Sequence, residues 1–245
     1  MNKKPRHLRK TTAAAVRAPN IFKLALEARA PFEFVAGIAA LPLLVKQKRG
    51  DGHPVIVYPG FMASDISTGP LRMLLGWLGY LPHGWHQGRN RNPSPEVFEQ
   101  ARAQIRAVYA QTGRKVSLVG WSLGGIYARE MAKLLPEMVH CVITLGTPFA
   151  GSPKSTNAWR IYELATGRNT DIEHTHYDLP MAPASVPTSS IYSRSDGIVA
   201  WQGSIQANCK VNPHTENIEV FASHVGIGLN PSAWWAVADR LAQQK

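Results

Sequence analysis

Only two cysteines, Cys141 in an apolar run and Cys209 in a polar stretch, occur among 245 residues. That is too few for a disulfide scaffold, and no paired spacing suggests a metal site. The histidines and acids lack a zinc spacing such as H-E-x-x-H, so no metal or other cofactor is expected. Long apolar runs are also missing. The nearest, Phe34 to Val45, contains Pro42, lies between Glu33 and the basic Lys46, Lys48 and Arg49, and falls short of the roughly 20 residues that span a bilayer. There is no internal repeat and no sign of a second globular domain, and the length suits one domain with a sizeable core. Acidic residues are scarce, 16 against 27 Lys and Arg, for a net charge of +11. The excess is local: residues 1–49 hold eleven basic residues against Glu27 and Glu33, whereas the remainder holds sixteen against fourteen. Without a nucleic-acid motif beside it, this N-terminal charge does not predict a nucleic-acid partner.

Residues 1–49 read as a basic extension. The opening MNKKPRHLRK has the composition of a solvated tail. Asn20 then stands where it would cap a short helix with Ile21, Leu24, Ala25 and Ala28 on one face. Arg17 and Lys23 interrupt the apolar continuity that a secretory signal requires, and with so few cysteines a reducing cytoplasm is the simplest compartment. The apolar segment is expected to pack on the domain; its basic flanks offer peripheral contact with an anionic membrane surface as the alternative.

From residue 50 to 245 the pattern alternates between short buried strands and amphipathic helices. Strands are expected at Val55–Tyr58, briefly near Leu81, at Lys115–Val119, Cys141–Leu145, Ser190–Ser193 and Ile218–Ala222. Helices are expected at Ser67–Leu78, after the Ser94 cap with Pro95 at its first position, after Leu123, and from Pro231. Gly113 would end the second of these. Such alternation predicts an α/β fold, a mostly parallel sheet with helices on both faces. Residues 149–187 are polar and irregular apart from a helical stretch near Ala158–Ala165. A segment that long inside a compact domain reads as a cap or lid.

The chemistry centres on Gly120-Trp121-Ser122-Leu123-Gly124, a G-x-S-x-G sequence between a buried strand and a helix. A serine on so sharp a turn is lifted from the sheet edge, beside the free N–H groups of the helix's first turn. The alternative is a glycine-rich turn whose serine caps the helix. Serine is a weak nucleophile without a base and a carboxylate to orient that base. Asp196 and His224 each follow a predicted strand and come in the order acid, then histidine; in a parallel sheet that puts all three on one edge. His214, in a loop, and His140, at the opposite sheet end, are poorer bases, and His83, His86, His174 and His176 precede the acid. Asp171 and Asp178 lie in irregular sequence, and Glu216 too near the last strand's start. Two main-chain donors would hold a developing oxyanion: the N–H of Leu123, and that of Phe61 in the turn Pro59-Gly60-Phe61 after the first strand. Phe61, Met62 and Trp121 are candidates to line an apolar acyl site.

Together HPVIVYPGF, VSLVGWSLGG, VITLGTPFAG, IYSRSDGIVAW and SHVGIGLNP resemble the α/β-hydrolase superfamily, in particular its bacterial lipase- and esterase-like group, from about His53 to Leu241. The resemblance implies hydrolysis of a small-molecule or lipid-like carboxylic ester through an acyl-enzyme, with Ser122, Asp196 and His224 as triad and Phe61 and Leu123 as oxyanion donors. Thioester or lactone hydrolysis, acyl transfer, or a silent fold used for interaction are the alternatives. One departure is Pro59-Gly60 where many lipases have His-Gly, so the oxyanion loop must be supported differently.

Overall fold

A computed structural model describes residues 17–91, 93–150, 156–157, 184–207 and 212–243. The basic run at the start, most of the expected cap, Cys209, and the rival candidates Asp171, His174, His176 and Asp178 lie outside the described residues. Among the described residues six strands form one sheet: β1 (Pro54–Tyr58), β2 (Leu81–His83), β3 (Val116–Trp121), β4 (Val139–Leu145), β5 (Thr188–Tyr192) and β6 (Thr215–Glu219). Their order is β2-β1-β3-β4-β5-β6 and every pairing is parallel. The chain runs outward from β1 to β2 and then crosses back to β3 on the other side of β1. The loops that leave β1 and β3 therefore diverge at a switch point, where sheets of this kind open a crevice.

The period-two alternation of the strands divides the core into two layers. Val55, Val57, Val119, Cys141, Ile143 and Leu145 face one layer, which is filled by α3 (Asp65–Trp77) and the last helix, α6 (Pro231–Gln243). Ile56, Tyr58, Leu118 and Val142 face the other, beneath α4 (Pro95–Thr112) and α5 (Leu123–Leu134). Ser94 caps α4 by accepting from the Val97 N–H, and Gly113 ends it at φ 66°. Pro82 occurs where a missing donor costs nothing, in the edge strand β2.

The last strand differs from its sequence reading: β6 spans Thr215–Glu219, with only the Val220 N–H continuing its ladder, to Tyr192 O. As an edge strand its limits are set by β5 beside it. Phe221, inside the apolar run, is 74% exposed.

The N-terminal segment also differs from a simple extension. Asn20 caps α1 (Ile21–Ala25) by accepting from Lys23 N–H, as its sequence suggests. A 3-10 turn, Leu26–Arg29, then leads into α2 (Ala30–Leu44). Glu33, Gly37 and Leu44 of α2 are buried, and a Cβ at Gly37 would stand 2.4 Å from Leu229 O and 3.2 Å from the Trp234 ring. The opposite face, with Phe32, Val35 and Leu43, is exposed, as are Ile21 and Phe22 of α1. The expected apolar stripe of α1 is thus not buried, because contact with the domain is made by other residues.

Candidate active site

Ser122 sits between β3 and α5 at φ 51°, ψ −119°, a region that a residue with a Cβ enters only at a cost of about 1–3 kcal/mol. The flanking glycines create room for the turn. A Cβ at Gly120 would lie 2.4 Å from Gly124 O and Gly125 Cα, and one at Gly124 would lie 2.4 Å from Tyr58 O. The Ser122 hydroxyl does not cap α5; it is 2.9 Å from His224 Nε2.

His224 follows β6 and Asp196 follows β5, so the carboxyl edge of the sheet brings three distant positions together. His224 Nδ1 lies 2.7 Å from Asp196 Oδ2. The second carboxylate oxygen, Oδ1, accepts from Ile198 N–H at 2.8 Å and Val199 N–H at 2.7 Å, which fixes the acid in its turn. All three side chains are buried. Gly146, after β4, leaves the space for the pair: a Cβ there would be 3.2 Å from His224 Nδ1. Burial opposes a charged imidazole at 224, but the charge and hydrogen bond of Asp196 and the charge of Glu27 outweigh it, so the pKa rises above the ordinary 6.5.

Leu123 is the first residue of α5, where an N–H has no acceptor within the helix. Gly60 packs beside the serine: a Cβ on it would be 3.5 Å from Ser122 Cβ. The Phe61 turn is supported by a residue its sequence did not single out. Asn90 is fully buried; its Nδ2 donates to Pro59 O at 2.8 Å, and its backbone accepts from Met62 N–H at 2.6 Å and donates to Ala63 O at 2.8 Å. Its Oδ1 accepts from the Tyr127 hydroxyl at 3.0 Å. Met62 is exposed at the mouth of the turn with φ 60°, and Phe61 is half-buried. The Trp121 indole donates to His224 O at 3.1 Å and lies against Gly228, so it braces the histidine loop.

A second constellation of the same residue types lies away from Ser122. Asp51 Oδ1 lies 2.5 Å from His53 Nδ1, and His53 Nε2 lies 2.9 Å from Ser117 Oγ. Ser117 has no exposed surface and points into the sheet's interior, where it also accepts a thiol contact from Cys141 at 3.4 Å. Burial lowers the His53 pKa. The set is a structural network at the opposite end of the strands, with His53 and Ser117 buried and Asp51 at the surface. His140 lies near it, its ring 5.2 Å from the His53 ring and tilted by 39°, at the sheet end its place in the sequence suggested.

Among the described residues no group of acids, histidines and cysteines could hold a metal ion, and no helix is long and apolar enough to cross a membrane.

The profile of the PGAP1-like alpha/beta domain family matches residues 87–194. A triacylglycerol lipase of Pseudarthrobacter phenanthrenivorans is 46% identical over 55 residues, which cover 22% of this chain and 17% of the lipase. The human serine hydrolase BPHL is 31% identical over 110 residues, 41% of this chain and 38% of that protein. The chain thus matches well under half the length of these curated relatives. Among solved structures, the monoacylglycerol lipase of Paleococcus ferrophilus superposes with a TM-score of 0.56 at 17% identity, covering 81% of this chain and 96% of that one. The fold is the α/β-hydrolase fold. In sequence, parts of the chain are similar to a triacylglycerol lipase and to a serine hydrolase.

Proposed function

We propose that the protein is a serine hydrolase of carboxylic esters, with Ser122 as nucleophile, His224 as general base and Asp196 as the residue that orients it. The observation that carries this reading is the continuous relay from Ser122 Oγ through His224 to Asp196, at 2.9 and 2.7 Å, beside the first N–H of α5. His224 Nε2 takes the serine proton as Oγ attacks the acyl carbon. The N–H groups of Leu123 and Phe61 hold the oxygen that becomes negative. The imidazolium, stabilised by Asp196, then protonates the leaving alcohol, and an acyl-enzyme remains. Water deprotonated by His224 attacks that ester and releases the acid. Phe61 and Met62 beside the serine favour an apolar acyl group, and a lipid-like ester fits them better than a charged one. The triacylglycerol lipase and BPHL, as relatives, agree with this class.

The membrane contact belongs to the same proposal. The outward face of α2 presents Phe32, Val35 and Leu43, and Lys46, Lys48 and Arg49 follow it. An apolar helix face with a basic exit suits an anionic bilayer surface. A cytoplasmic setting is proposed with it, in keeping with Cys141 as a buried free thiol.

The reaction is tested with p-nitrophenyl esters of increasing acyl length. Ser122→Ala should abolish turnover with its circular dichroism unchanged, and undiminished turnover would end the assignment. For the membrane, Phe32→Glu with Val35→Glu should abolish sedimentation with phosphatidylserine vesicles. Retained sedimentation, or binding replaced by self-association of the native chain, would overturn that part.

A further inference from the structure

The N-terminal segment does more than cover the domain: four of its charged side chains, Lys23, Glu27, Arg29 and Glu33, reach the two loops that carry the acid and the base. Glu27, on the 3-10 turn, accepts at Oε1 from the N–H groups of Gly197 at 2.7 Å and His224 at 2.9 Å, and at Oε2 from Val225 N–H at 2.9 Å. One carboxylate thereby ties the residue after Asp196 to the backbone of His224. Glu33 accepts at Oε1 from Ser223 N–H at 2.8 Å, and at Oε2 from Asn230 Nδ2 at 3.3 Å. Arg29 joins the two sides. Its Nε donates to Glu33 at 2.8 Å, and its Nη2 to Ser195 O at 3.2 Å and Ser195 Oγ at 2.7 Å.

We propose that Glu27 is a positioning residue of the hydrolase, and that residues 20–44 belong to its catalytic unit because they clamp the acid and base loops in register. The proposal rests on the triad reading above. Both loops lie beyond the ends of strands, where their N–H groups have no ladder partner; charge-assisted bonds to a carboxylate are the stronger alternative to water. The glycines agree with a built contact. A Cβ at Gly197 would fall 2.2 Å from Lys23 O, and one at Gly226 would fall 2.2 Å from Glu33 Oε2. At these two glycines, after Asp196 and after His224, the N-terminal segment thus lies too close for a side chain to fit. Asn157 adds a third tie, donating from Nδ2 to both Pro19 O and Gly197 O. The charged groups around His224 are Asp196 on its Nδ1 and Glu27 on its backbone, with Glu33 and Arg29 one contact further out and Lys23 bonded to Arg194 O. Ser122 faces its Nε2.

The test uses the full chain with Glu27→Gln and Glu27→Ala. Glutamine keeps one acceptor oxygen for the loops while removing the charge and the second acceptor; alanine removes all three bonds. Two readouts are needed: the rate of labelling by a fluorophosphonate across pH, and the titration of the His224 ring by NMR, assigned against His224→Ala. Glu27→Gln should label roughly tenfold more slowly and Glu27→Ala roughly a hundredfold, the scale of a displacement near 1 Å. In Glu27→Gln the ring should titrate at lower pH than in the native chain, because a neighbouring negative charge is gone. A helix that merely stabilises the fold would lower thermal stability and leave the labelling rate of the folded protein unmoved, and that result overturns the proposal. If the native chain does not label, the hydrolase reading fails and the positioning role fails with it, whereas a native chain that labels beside variants that label equally fast refutes the clamp alone. If Glu27→Ala does not fold, Glu27→Gln carries both readouts.

Discussion

Replacing Asn90 by alanine tests how the proposed oxyanion loop is held. The side chain is fully buried and makes two hydrogen bonds, to Pro59 O at 2.8 Å and from the Tyr127 hydroxyl at 3.0 Å. A buried polar group stripped of its partner costs about 1–3 kcal/mol, so the variant should lose about 2–4 kcal/mol of stability, which a domain of ordinary stability survives. Activity should fall separately. Complete loss of one oxyanion donor costs about 100- to 1000-fold in kcat; a loop loosened but still tied by the Met62 and Ala63 backbone bonds should cost about 10- to 100-fold. Tyr127→Phe is the control, since it removes one bond to Asn90 but leaves Pro59 held. It should lose about 1 kcal/mol with kcat near the native value. Urea unfolding supplies the stabilities, and turnover of p-nitrophenyl butyrate below the unfolding range supplies kcat. If Asn90→Ala loses stability with kcat intact, the Phe61 turn is fixed by other contacts and its role at the oxyanion loses its support.

Three further outcomes follow from the same geometry. The imidazole must be neutral to accept the serine proton and its pKa is raised, so activity should be lost as pH falls, with the acidic limb of kcat/KM above 6.5; a midpoint at or below that value contradicts the arrangement. Ser122→Gly relieves a backbone held at φ 51° and should be more stable than Ser122→Ala by about 1–2 kcal/mol, read by urea titration of both inactive variants. Gly120→Ala places a methyl 2.4 Å from two backbone atoms of α5 and should cost about 3 kcal/mol or more, measurable as a lowered melting temperature.

Much of this was legible in the chain because it is local. A β-branched run, a glycine-bounded serine and a helical period stand side by side between residues 115 and 130, and together they specify a strand, a tight turn and a helix. Asp196 and His224 were legible for a weaker reason: each follows a strand, and a parallel sheet collects strand ends on one edge. Asn90 was hidden in a polar loop with nothing nearby in sequence to mark it, and its partner Pro59 lies 31 positions away. Glu27 and Glu33 were hidden more deeply, since their partners near 197 and 224 lie some 170 to 200 positions away. Composition even pointed elsewhere, counting both among a basic extension. The limits of β6 were misjudged because apolar character continues through Phe221 while the pairing does not. The exposed side of α2 has the same origin: its sequence is apolar all round, and periodicity cannot choose a face when both are alike.

The most direct measurement of the central claim is the mass of the protein after reaction with a fluorophosphonate, followed by peptide mapping. A single adduct on the peptide containing Ser122, absent in Ser122→Ala and strongly slowed in His224→Ala, is the expected result. An unmodified protein, or an adduct that forms equally fast without the histidine or on another serine, would contradict it.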